Sequence, residues 1–434
     1  MQRAGAVLRQ PLPRLLIDRL PFFYGWVVLA CVCCAGFSRQ GPAVATLSIF
    51  VAPMTTEFGW SRTAISGAVS LGGVLAAVAS PFIGPFLDRN GARIVLGLAV
   101  LCTGAATMLL SLTQSLLTFY LLYCVARMNF AGPYDLGIYG AINNWFVARR
   151  AFATSLATLA QAAGLVAIPL IAHVAMQQAG WRGGWLAVGS TVLLVGFVPT
   201  WLFLVRRPED VGLVPDRRAE DGVPAAERGA AQAATAEEPA FTRRQAIATP
   251  AFWLLSLFTL LVYPVQAGVS LHQAPHVIER GLDPAVAATV VSSFSLLSAI
   301  SGFSFGFWPR RLPVRFALAF VGCALAAGVL AMLAIASALQ AYLAAALFGI
   351  GIGGLLTMLP IAWADYFGRA SFGAIRGVAL TIQVLAQASG PLLSGVLRDL
   401  SGSYDLPLGC FALLAALGAL AALLARPPRR EAGG

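Results

Sequence analysis

The chain has 434 residues, of which 59% are hydrophobic and only 11% are charged, and its formal net charge is +11. Soluble proteins carry about a quarter charged residues, so the composition excludes a soluble globular protein and indicates a membrane protein. The positive charge therefore bears on orientation in the membrane, and no nucleic-acid partner is expected.

Twelve stretches are long and apolar enough to cross a bilayer as helices of roughly 20 residues. They cover residues 23 to 51, 63 to 86, 94 to 113, 116 to 146, 151 to 177, 183 to 205, 251 to 278, 285 to 307, 314 to 336, 339 to 366, 373 to 397 and 404 to 425. The pattern predicts an all-α membrane protein with twelve transmembrane helices. The first twenty residues resemble the start of a secretory signal, but the following apolar run is too long, so we expect a retained first helix.

The basic residues predict the orientation, because cytoplasmic loops carry the excess of arginine and lysine. All 29 basic residues are arginine. With the N-terminus inside, 23 of these 29 lie on the inner face, and two lie within spans. The four on the outer face are Arg62, Arg182, Arg280 and Arg398. Both termini and the connector at 206–249 are therefore predicted to be cytoplasmic.

The first span carries a charge near its middle, at Arg39, followed by Gln40 and a Gly41-Pro42 break. An isolated charge there costs about 2.5–3.5 kcal/mol on insertion scales, so an interaction must offset it. Arg39 either faces a cavity and binds an anion or forms a packed salt bridge with another helix. The planar guanidinium suits a carboxylate, because it can donate two parallel hydrogen bonds.

A polar turn at 84–93 joins the second and third spans, and we predict that it takes part in conformational gating. Its candidate gating residues are Gly84, Asp88, Arg89, Gly91 and Arg93. Asp88 is interpreted as a gating or structural charge rather than a substrate ligand. The turn recurs at 306–315, where Arg310 replaces the acidic residue.

The fourth span holds Arg127 and Asp135 on either side of Asn129 and a Gly132-Pro133 break. The two charges are eight positions apart, which corresponds to about 12 Å of helix rise, so they do not pair along an intact helix. Proline removes an N–H and frees a carbonyl near Asn129. Arg127 either contacts an anion or pairs with Asp135 or with a carbonyl.

Asp135 lies well inside this span and is the leading candidate for a proton carrier. Together with Arg39 and Gln40, the side chains of Arg127, Asn129 and Tyr134 are the candidate substrate contacts.

Residues 206–249 contain seven basic and eight acidic residues with few apolar ones, which predicts a largely disordered linker. In the seventh span, His272 and His276 lie four residues apart on one face. Such a pair can bind metal, but no third ligand is evident. A protonation-sensitive outer gate and an ordinary hydrated helix end are the other interpretations. No cofactor and no metal site are expected, and the seven cysteines are interpreted as apolar packing residues.

The two halves repeat one another. At an offset of 222 residues Glu57 falls on Glu279, and at 221 Trp145 falls on Tyr366. At an offset of 226 the segment 159–164 (LAQAAG) falls on 385–390 (LAQASG). Repeats in the same order predict two pseudo-symmetric six-helix bundles, at 23–205 and 250–426, with a ligand expected where the halves meet. Residues 1–22, 206–249 and 427–434 form the predicted cytoplasmic segment, linker and tail.

Twelve spans in two halves, the central linker and the turn at 84–93 resemble the major facilitator superfamily. Several motifs resemble its bacterial monocarboxylate-porter-like branch, near the oxalate/formate exchangers. They are Tyr24-Gly25-Trp26, residues 58–62 (FGWSR), Trp145-Phe146 with Arg149-Arg150, residues 180–182 (GWR), residues 207–213 (RPEDVGL), and His272 with Pro275-His276. The chain lacks the helix 8 Asp–Arg pair of animal monocarboxylate porters and the helix 11 basic residue of the oxalate exchangers.

The resemblance implies the major facilitator fold and alternating-access transport of small organic anions, commonly with a proton. It also implies a monomer in the bacterial cytoplasmic (inner) membrane, and it places Arg39 where relatives carry a cationic substrate contact. The leading hypothesis is a secondary transporter of a small carboxylate. The alternatives are a proton-driven exporter of amphiphiles and a non-transporting membrane sensor. An enzyme is not expected, because the sequence has neither a nucleophile with a base nor a nucleotide-binding loop.

Overall fold

The computed structural model describes residues 11–60, 62–216, 241–309 and 311–428. Arg310 and the central part of the predicted linker lie outside the described residues. Within these ranges the secondary structure consists of helices and turns, with one isolated bridge between Phe146 and Asp216 and no strand. The chain divides into two compact units: Met1–Ala153 with Ala160–Glu238, and Thr154–Leu159 with Pro239–Gly434. We call these the N-terminal and C-terminal units.

The described part of the first half contains nine α-helices. They are α1 (Pro11–Arg19), α2 (Gly25–Ser38), α3 (Val44–Phe58), α4 (Arg62–Asn90), α5 (Ala92–Leu109), α6 (Leu116–Ala131), α7 (Pro133–Trp145), α8 (Arg150–Thr191) and α9 (Val198–Phe203). Helix α8 bends at Ala179 and Gly180, which have non-helical backbone angles. A π-helical turn, Val192–Phe197, connects α8 to α9.

The second half contains seven α-helices in the described residues. They are α10 (Arg243–Ile247), α11 (Pro250–Glu279), α12 (Pro284–Ser304), α13 (Val314–Leu333), α14 (Ala338–Phe367), α15 (Phe372–Ser401) and α16 (Asp405–Leu424). Side chains at the starts of helices accept hydrogen bonds from backbone N–H groups. At the start of α14, for example, the Ser337 hydroxyl accepts one from the backbone N–H of Gln340.

Nine helical stretches in the described residues are long and apolar enough to cross a membrane. They account for ten of the twelve predicted spans, because the stretch Arg150–Phe203 contains two of them, separated by the bend at Gly180. Each of the remaining two predicted spans is divided into two shorter helices, α2 with α3 and α6 with α7. The structure therefore agrees with twelve crossings, two of them interrupted at the predicted Gly-Pro breaks.

The predicted turn at 84–93 is shorter than expected. Helix α4 continues through Gly84 to Asn90, and α5 begins at Ala92, so only Gly91 interrupts the helices. In the second half, α13 begins at Val314, after a 3-10 turn at Phe305–Phe307 and a stretch whose described residues, 308–309 and 311–313, are not helical. Pro309 and Pro313 in that stretch lack the N–H groups that a continuous helix needs.

The same packing contact recurs in both units. Trp145 is fully buried, and its indole Nε1 donates to the carbonyl of Val205, 3.0 Å away. Tyr366, the residue aligned with it, donates through its hydroxyl to the carbonyl of Ala425 at 2.5 Å. Both contacts attach the fourth span of a half to the end of its sixth.

The repeated glutamates also form matching ion pairs. Glu57 accepts from the indole Nε1 of Trp181 at 2.5 Å and pairs with Arg182 at 2.7 Å. The Trp181 hydrogen bond, followed by that of Arg182, lowers the pKa of Glu57. Glu279 pairs with Arg398 at 2.7 Å.

The prediction of a largely disordered linker is wrong for its two ends. Residues 206–216 contain a 3-10 turn, Pro208–Val211, and residues 241–249 contain α10. The sequence-based interpretation missed these because short polar segments gain their order from contacts with the rest of the protein rather than from their own apolar pattern.

Candidate functional site

Arg39 lies at the break in the first span. Helix α2 ends at Ser38, and the backbone N–H of Arg39 makes the last helical bond, to Ala35, at 2.8 Å. The chain then turns until α3 begins at Val44, after Pro42. The Arg39 side chain is only 12% exposed, so its charge must be stabilised by the groups around it.

Two groups from other helices accept hydrogen bonds from the Arg39 guanidinium. Its Nε donates to the carbonyl of Phe130 at 2.9 Å, and its Nη1 donates to Oε1 of Gln161, on α8, at 2.8 Å. Phe130 belongs to the last turn of α6, where the carbonyls have no partner within the helix. The break at Gly132-Pro133 thus supplies an acceptor for the arginine at the other break.

Asp135 is the acidic partner of Arg39. Its Oδ1 lies 3.9 Å from Nη1 of Arg39, beyond hydrogen-bond distance, and its side chain is 7% exposed. Asp135 lies in the first turn of α7, where the partial positive charge of a helix N-terminus favours a carboxylate. A packed salt bridge is one of the two predicted alternatives for Arg39. The structure shows only a long ion pair with Asp135.

Arg127 also lies against the ring of Phe130. The guanidinium carbon is 4.3 Å from the centre of the Phe130 ring, and that of Arg39 is 4.6 Å from it. The stem of Arg127 passes over Gly72 of α4, where a Cβ would come within 2.6 Å of it. Its Nε is buried and has no hydrogen-bond partner among the described residues.

The site therefore places two guanidinium groups against a single aromatic ring, with one carboxylate 3.9 Å from the Arg39 guanidinium. Both cation–π contacts stabilise the arginines, but the local charge still has an excess of one positive unit. An arrangement of this kind favours an anion.

The other predicted contacts at the two breaks are buried polar residues. Asn129 is buried, and its Nδ2 donates to the carbonyl of Val125 at 2.9 Å, one turn back along α6. Gln40 is buried, and its backbone carbonyl accepts a hydrogen bond from the hydroxyl of Thr46 at 2.8 Å. Tyr134 is fully buried in the first turn of α7, next to Asp135.

The two predicted histidines lie in the C-terminal unit, on α11. Nδ1 of His272 lies 3.1 Å from the hydroxyl of Tyr404, and Nε2 of His276 donates to the carbonyl of Met332 at 2.9 Å. Both rings pack against the Tyr404 ring. Across the described part of the chain, no group of three or more His, Cys, Asp or Glu side chains could hold a metal ion.

The predicted gating residues lie around the α4–α5 turn. Arg93 donates twice to the carbonyl of Trp201, at 3.1 and 2.7 Å, and Gly91 has a φ of 85°. The carbonyl of Arg89 accepts from Arg206 at 3.4 Å. Gly84 is buried within α4, and Asp88 is half-buried.

The sequence analysis did not assign Phe130 and Gln161 to the site. The role of Phe130 depends on its backbone carbonyl and its ring, for which the sequence carries no signal. Gln161 did carry one, because it lies in the repeated segment at 159–164, although the repeat alone did not show what the glutamine contacts.

Comparison with known proteins matches residues 28–391 to the family model of the Major Facilitator Superfamily. The membrane sensor protein UhpC of Salmonella typhimurium is 28% identical over 353 residues, which cover 78% of this chain and 77% of UhpC. Monocarboxylate transporter 11 of Mus musculus is 26% identical over 399 residues, covering 88% of this chain and 83% of the transporter.

Among solved structures, the proton:xylose symporter XylE bound to 6-bromo-6-deoxy-D-glucose superposes with a TM-score of 0.69 at 13% identity, covering 92% of this chain and 94% of that one. This similarity supports the fold that the helix order indicates. The chain is a multi-pass membrane protein that belongs to the Major Facilitator Superfamily.

Proposed function

We propose that this protein is a secondary transporter that moves a small organic anion, most simply a monocarboxylate, across the membrane by alternating access. The observation that carries the proposal is the pair of arginines, Arg39 and Arg127, against the Phe130 ring, with Asp135 beside Arg39. Membership of a family of transporters and similarity to a protein named as a monocarboxylate transporter support it.

The distance between Arg39 and Asp135 favours a binding role for the arginine. A closed guanidinium–carboxylate pair has N–O distances of about 2.7–2.9 Å, whereas this one is 3.9 Å. Nε and Nη1 of Arg39 donate to Phe130 and Gln161. Arg39 is the proposed anchor, with Nη2 as the guanidinium nitrogen proposed to donate to a substrate carboxylate.

Arg127 is the proposed second cationic contact, with Asn129, Gln40 and Tyr134 as polar contacts. Asp135 is the proposed coupling group. An anion bound to Arg39 would compete with Asp135 for the guanidinium. His272 and His276 are further candidates for proton coupling. Exchange against a second anion is the alternative form of coupling.

We also propose that the protein lies in a bacterial inner membrane as a monomer, with bundles at 23–205 and 250–426. Both termini and the linker at 206–249 would face the cytoplasm. The residues of the α4–α5 turn would gate the conformational change. Gly91 lies against Arg206 at the start of the linker, and Arg93 donates to the carbonyl of Trp201 near the end of the sixth span.

The test is counterflow in proteoliposomes with a panel of labelled small carboxylates at equal internal and external pH. We expect uptake of at least one acid by the wild type and its loss, by about a hundredfold or more, in Arg39→Ala, because a lost charged contact in a buried site costs about 3–5 kcal/mol. Arg39→Lys is expected to recover little, because a lysine cannot donate to Phe130, Gln161 and a substrate from three separate nitrogens.

Arg244→Ala is the matched control, because Arg244 is exposed at the surface of α10 and its loss removes the same charge. Normal uptake by a folded Arg39→Ala protein would contradict the proposed anchor. If a folded wild type takes up none of the acids, a proton-driven exporter of amphiphiles is favoured instead. A resistance profile of cells that express the protein would then test that alternative.

A second candidate is a sensor that binds the anion without carrying it, because one similar protein is named a membrane sensor. Such a protein would be stabilised against heat by the anion in detergent, dependent on Arg39, and yet show no counterflow. Transport with ligand stabilisation supports the transporter, and ligand stabilisation without transport supports the sensor.

A further inference from the structure

A π-helical turn in the sixth span lies beside the break that carries Arg39. It covers Val192–Phe197, joins α8 to α9, and packs against α2 and α5 within the N-terminal unit. Turns of this kind are rare and are found frequently at functional sites. The contacts of the turn therefore bear on what the arginine next to it does.

Two residues of the π-helical turn contact the chain on either side of Arg39. A Cβ placed on Gly196 would lie 2.6 Å from the hydroxyl oxygen of Ser38 and 2.7 Å from its Cβ. A Cβ placed on Gly41 would lie 2.9 Å from Cγ2 of Val192. Because glycine has no side chain, both contacts are closer than another residue would allow. The turn thus packs directly before and after Arg39.

Helix α8 contacts the same segment through another glycine. A Cβ placed on Gly164 would collide with the backbone carbonyl of Phe37. Three residues earlier on α8, Gln161 accepts a hydrogen bond from Nη1 of Arg39 at 2.8 Å. One helix therefore fixes both the backbone before Arg39 and one end of its side chain.

The side chain of Ser38 is itself fixed. It is fully buried, and its hydroxyl donates to the carbonyl of Cys34 at 2.8 Å. The backbone N–H of Arg39 makes the last helical bond of α2, to Ala35, at 2.8 Å. Ser38 cannot move away from the π-helical turn without losing its bond, so a push on Ser38 displaces Arg39, the next residue of the same helical turn.

The position of the Arg39 backbone decides where its guanidinium can reach. The side chain donates to the carbonyl of Phe130 at 2.9 Å and to Gln161, and its guanidinium carbon lies 4.6 Å from the centre of the Phe130 ring. A group that binds a ligand must be held within about 0.5 Å of its productive position. Even a small displacement of the backbone would therefore change how Arg39 meets an anion.

We infer that Gly196 and Val192 are positioning residues, which act through Ser38 and Gly41 to hold Arg39 where its guanidinium binds the anion. The inference rests on the proposed function, in which Arg39 anchors a small carboxylate. Neither residue needs to touch the anion. The sixth span thereby contributes to substrate binding through packing against the first.

The experiment measures the affinity for acetate, propionate, lactate and any further acid that counterflow identifies, from the shift of the thermal unfolding midpoint in detergent. We expect Gly196→Ala to weaken the affinity about tenfold or more, because a misplaced guanidinium loses a charged hydrogen bond to the carboxylate. Adding Ser38→Gly removes both Ser38 atoms that the new methyl group would meet. The double variant is therefore expected to recover most of the affinity.

Gly104→Ala is the matched control. A Cβ placed on Gly104, which belongs to α5, would lie 2.5 Å from a methyl carbon of Leu193 in the same π-helical turn. The control thus adds the same methyl group against the same turn from the α5 side. We expect it to lower the unfolding midpoint without carboxylate and to keep the wild-type affinity.

A methyl group at Gly196 can also prevent folding, so a truncation tests the second contact of the turn. Val192→Ala removes the methyl group that packs on Gly41 and is expected to fold, because it introduces no collision. It should weaken the carboxylate affinity severalfold. Val198→Ala, the same change at an exposed position of α9, should leave the affinity unchanged.

Wild-type affinity in a folded Gly196→Ala protein would overturn the inference, as would wild-type affinity in Val192→Ala if the first variant does not fold. A loss that Ser38→Gly fails to restore would also overturn it, because the effect would not pass through Ser38. If the wild type binds a carboxylate through Arg39, these results leave the proposed function intact. A wild type that neither binds nor carries any carboxylate would refute the proposed function, and this inference with it.

Discussion

At the scale of single residues, Gly91 shows how much the junction of the second and third spans depends on one position. Its φ is 85° and its ψ is 165°, a combination that is nearly restricted to glycine and costs other residues about 1–3 kcal/mol. A Cβ at this position would also run into the stem of Arg206. A glycine is therefore needed here both for its backbone and for the space beside it.

This double requirement gives a prediction with an internal control. Gly180 has similar backbone angles, with a φ of 65° and a ψ of −176°, but a Cβ placed on it would have nothing within 4 Å. We expect Gly180→Ala to lower the free energy of unfolding by about 1–3 kcal/mol. Gly91→Ala should lower it further, by about 1–3 kcal/mol more, because Arg206 must also move. Thermal unfolding in detergent measures both, and equal losses would show that the Arg206 contact contributes nothing.

At the scale of elements, residues 206–216 form a segment that we call the clasp, because it holds two turns of the N-terminal unit. At its start, Arg206 lies on Gly91, donates to the carbonyl of Arg89, and pairs with Asp210 at 2.9 Å. Its hydrogen bonds to Asp210 are the main cause of a raised Arg206 pKa, so the arginine stays charged at neutral pH.

At the other end of the clasp, the carboxylate of Asp216 accepts three consecutive backbone N–H groups. They belong to Val147 at 2.5 Å, Ala148 at 2.9 Å and Arg149 at 2.7 Å. Successive N–H groups of this kind form a site for an anion, which here is filled by the protein's own side chain. The clasp thus ties the turn after α7 to the turn between α4 and α5.

Removing this carboxylate should loosen the turn at 147–149 without unfolding the unit. A charged hydrogen-bond set of this type contributes about 2 kcal/mol, so Asp216→Ala is expected to speed amide exchange of the turn about 30-fold. Asp216→Asn keeps one acceptor oxygen and should show a smaller increase. If amide exchange is unchanged in the alanine variant, the backbone hydrogen bonds of Asp216 to Trp145 and Ala148 are enough to hold the turn.

The sequence predicts the interrupted helices well, because proline and glycine act locally. The breaks at Gly41-Pro42 and Gly132-Pro133 appear where expected, and each lies beside a predicted charged residue. The contact between them could not be predicted, since it depends on how far apart α2 and α6 lie. The same holds for the clasp: its residues look like a solvated linker until the N–H groups that they bind are seen.

At the scale of the whole molecule, the two units repeat contacts as well as sequence. Trp145 and Tyr366 both donate to the end of the last span in their half. Gln161 and Gln387 both contact the first span. The separations vary between 220 and 227 residues, so short insertions have accumulated between spans while the contacts were kept. The copies differ at Arg39 and Gln266, which each lie two residues beyond the carbonyl that packs on Gly164 or Gly390. This difference changes the charge and keeps the packing.

The distribution of arginine predicts how this molecule lies in the membrane. With 23 of the 29 arginines on one side, insertion should leave that side in the cytoplasm. The bend at Gly180 would then lie outside, since it carries only Arg182 nearby, while residues 217–240 would lie inside. Gly180 has nothing within 4 Å of a Cβ, so a short epitope inserted after it should be tolerated.

Antibody binding to intact spheroplasts checks this orientation in the full-length protein. An epitope after Gly180 is expected to be accessible before permeabilisation, and one inserted within 217–240 only afterwards. The linker insertion is the control for expression, because permeabilised cells should reveal both epitopes equally. The reverse pattern would place the clasp and the α4–α5 turn outside the cell, where they could not gate the cytoplasmic side.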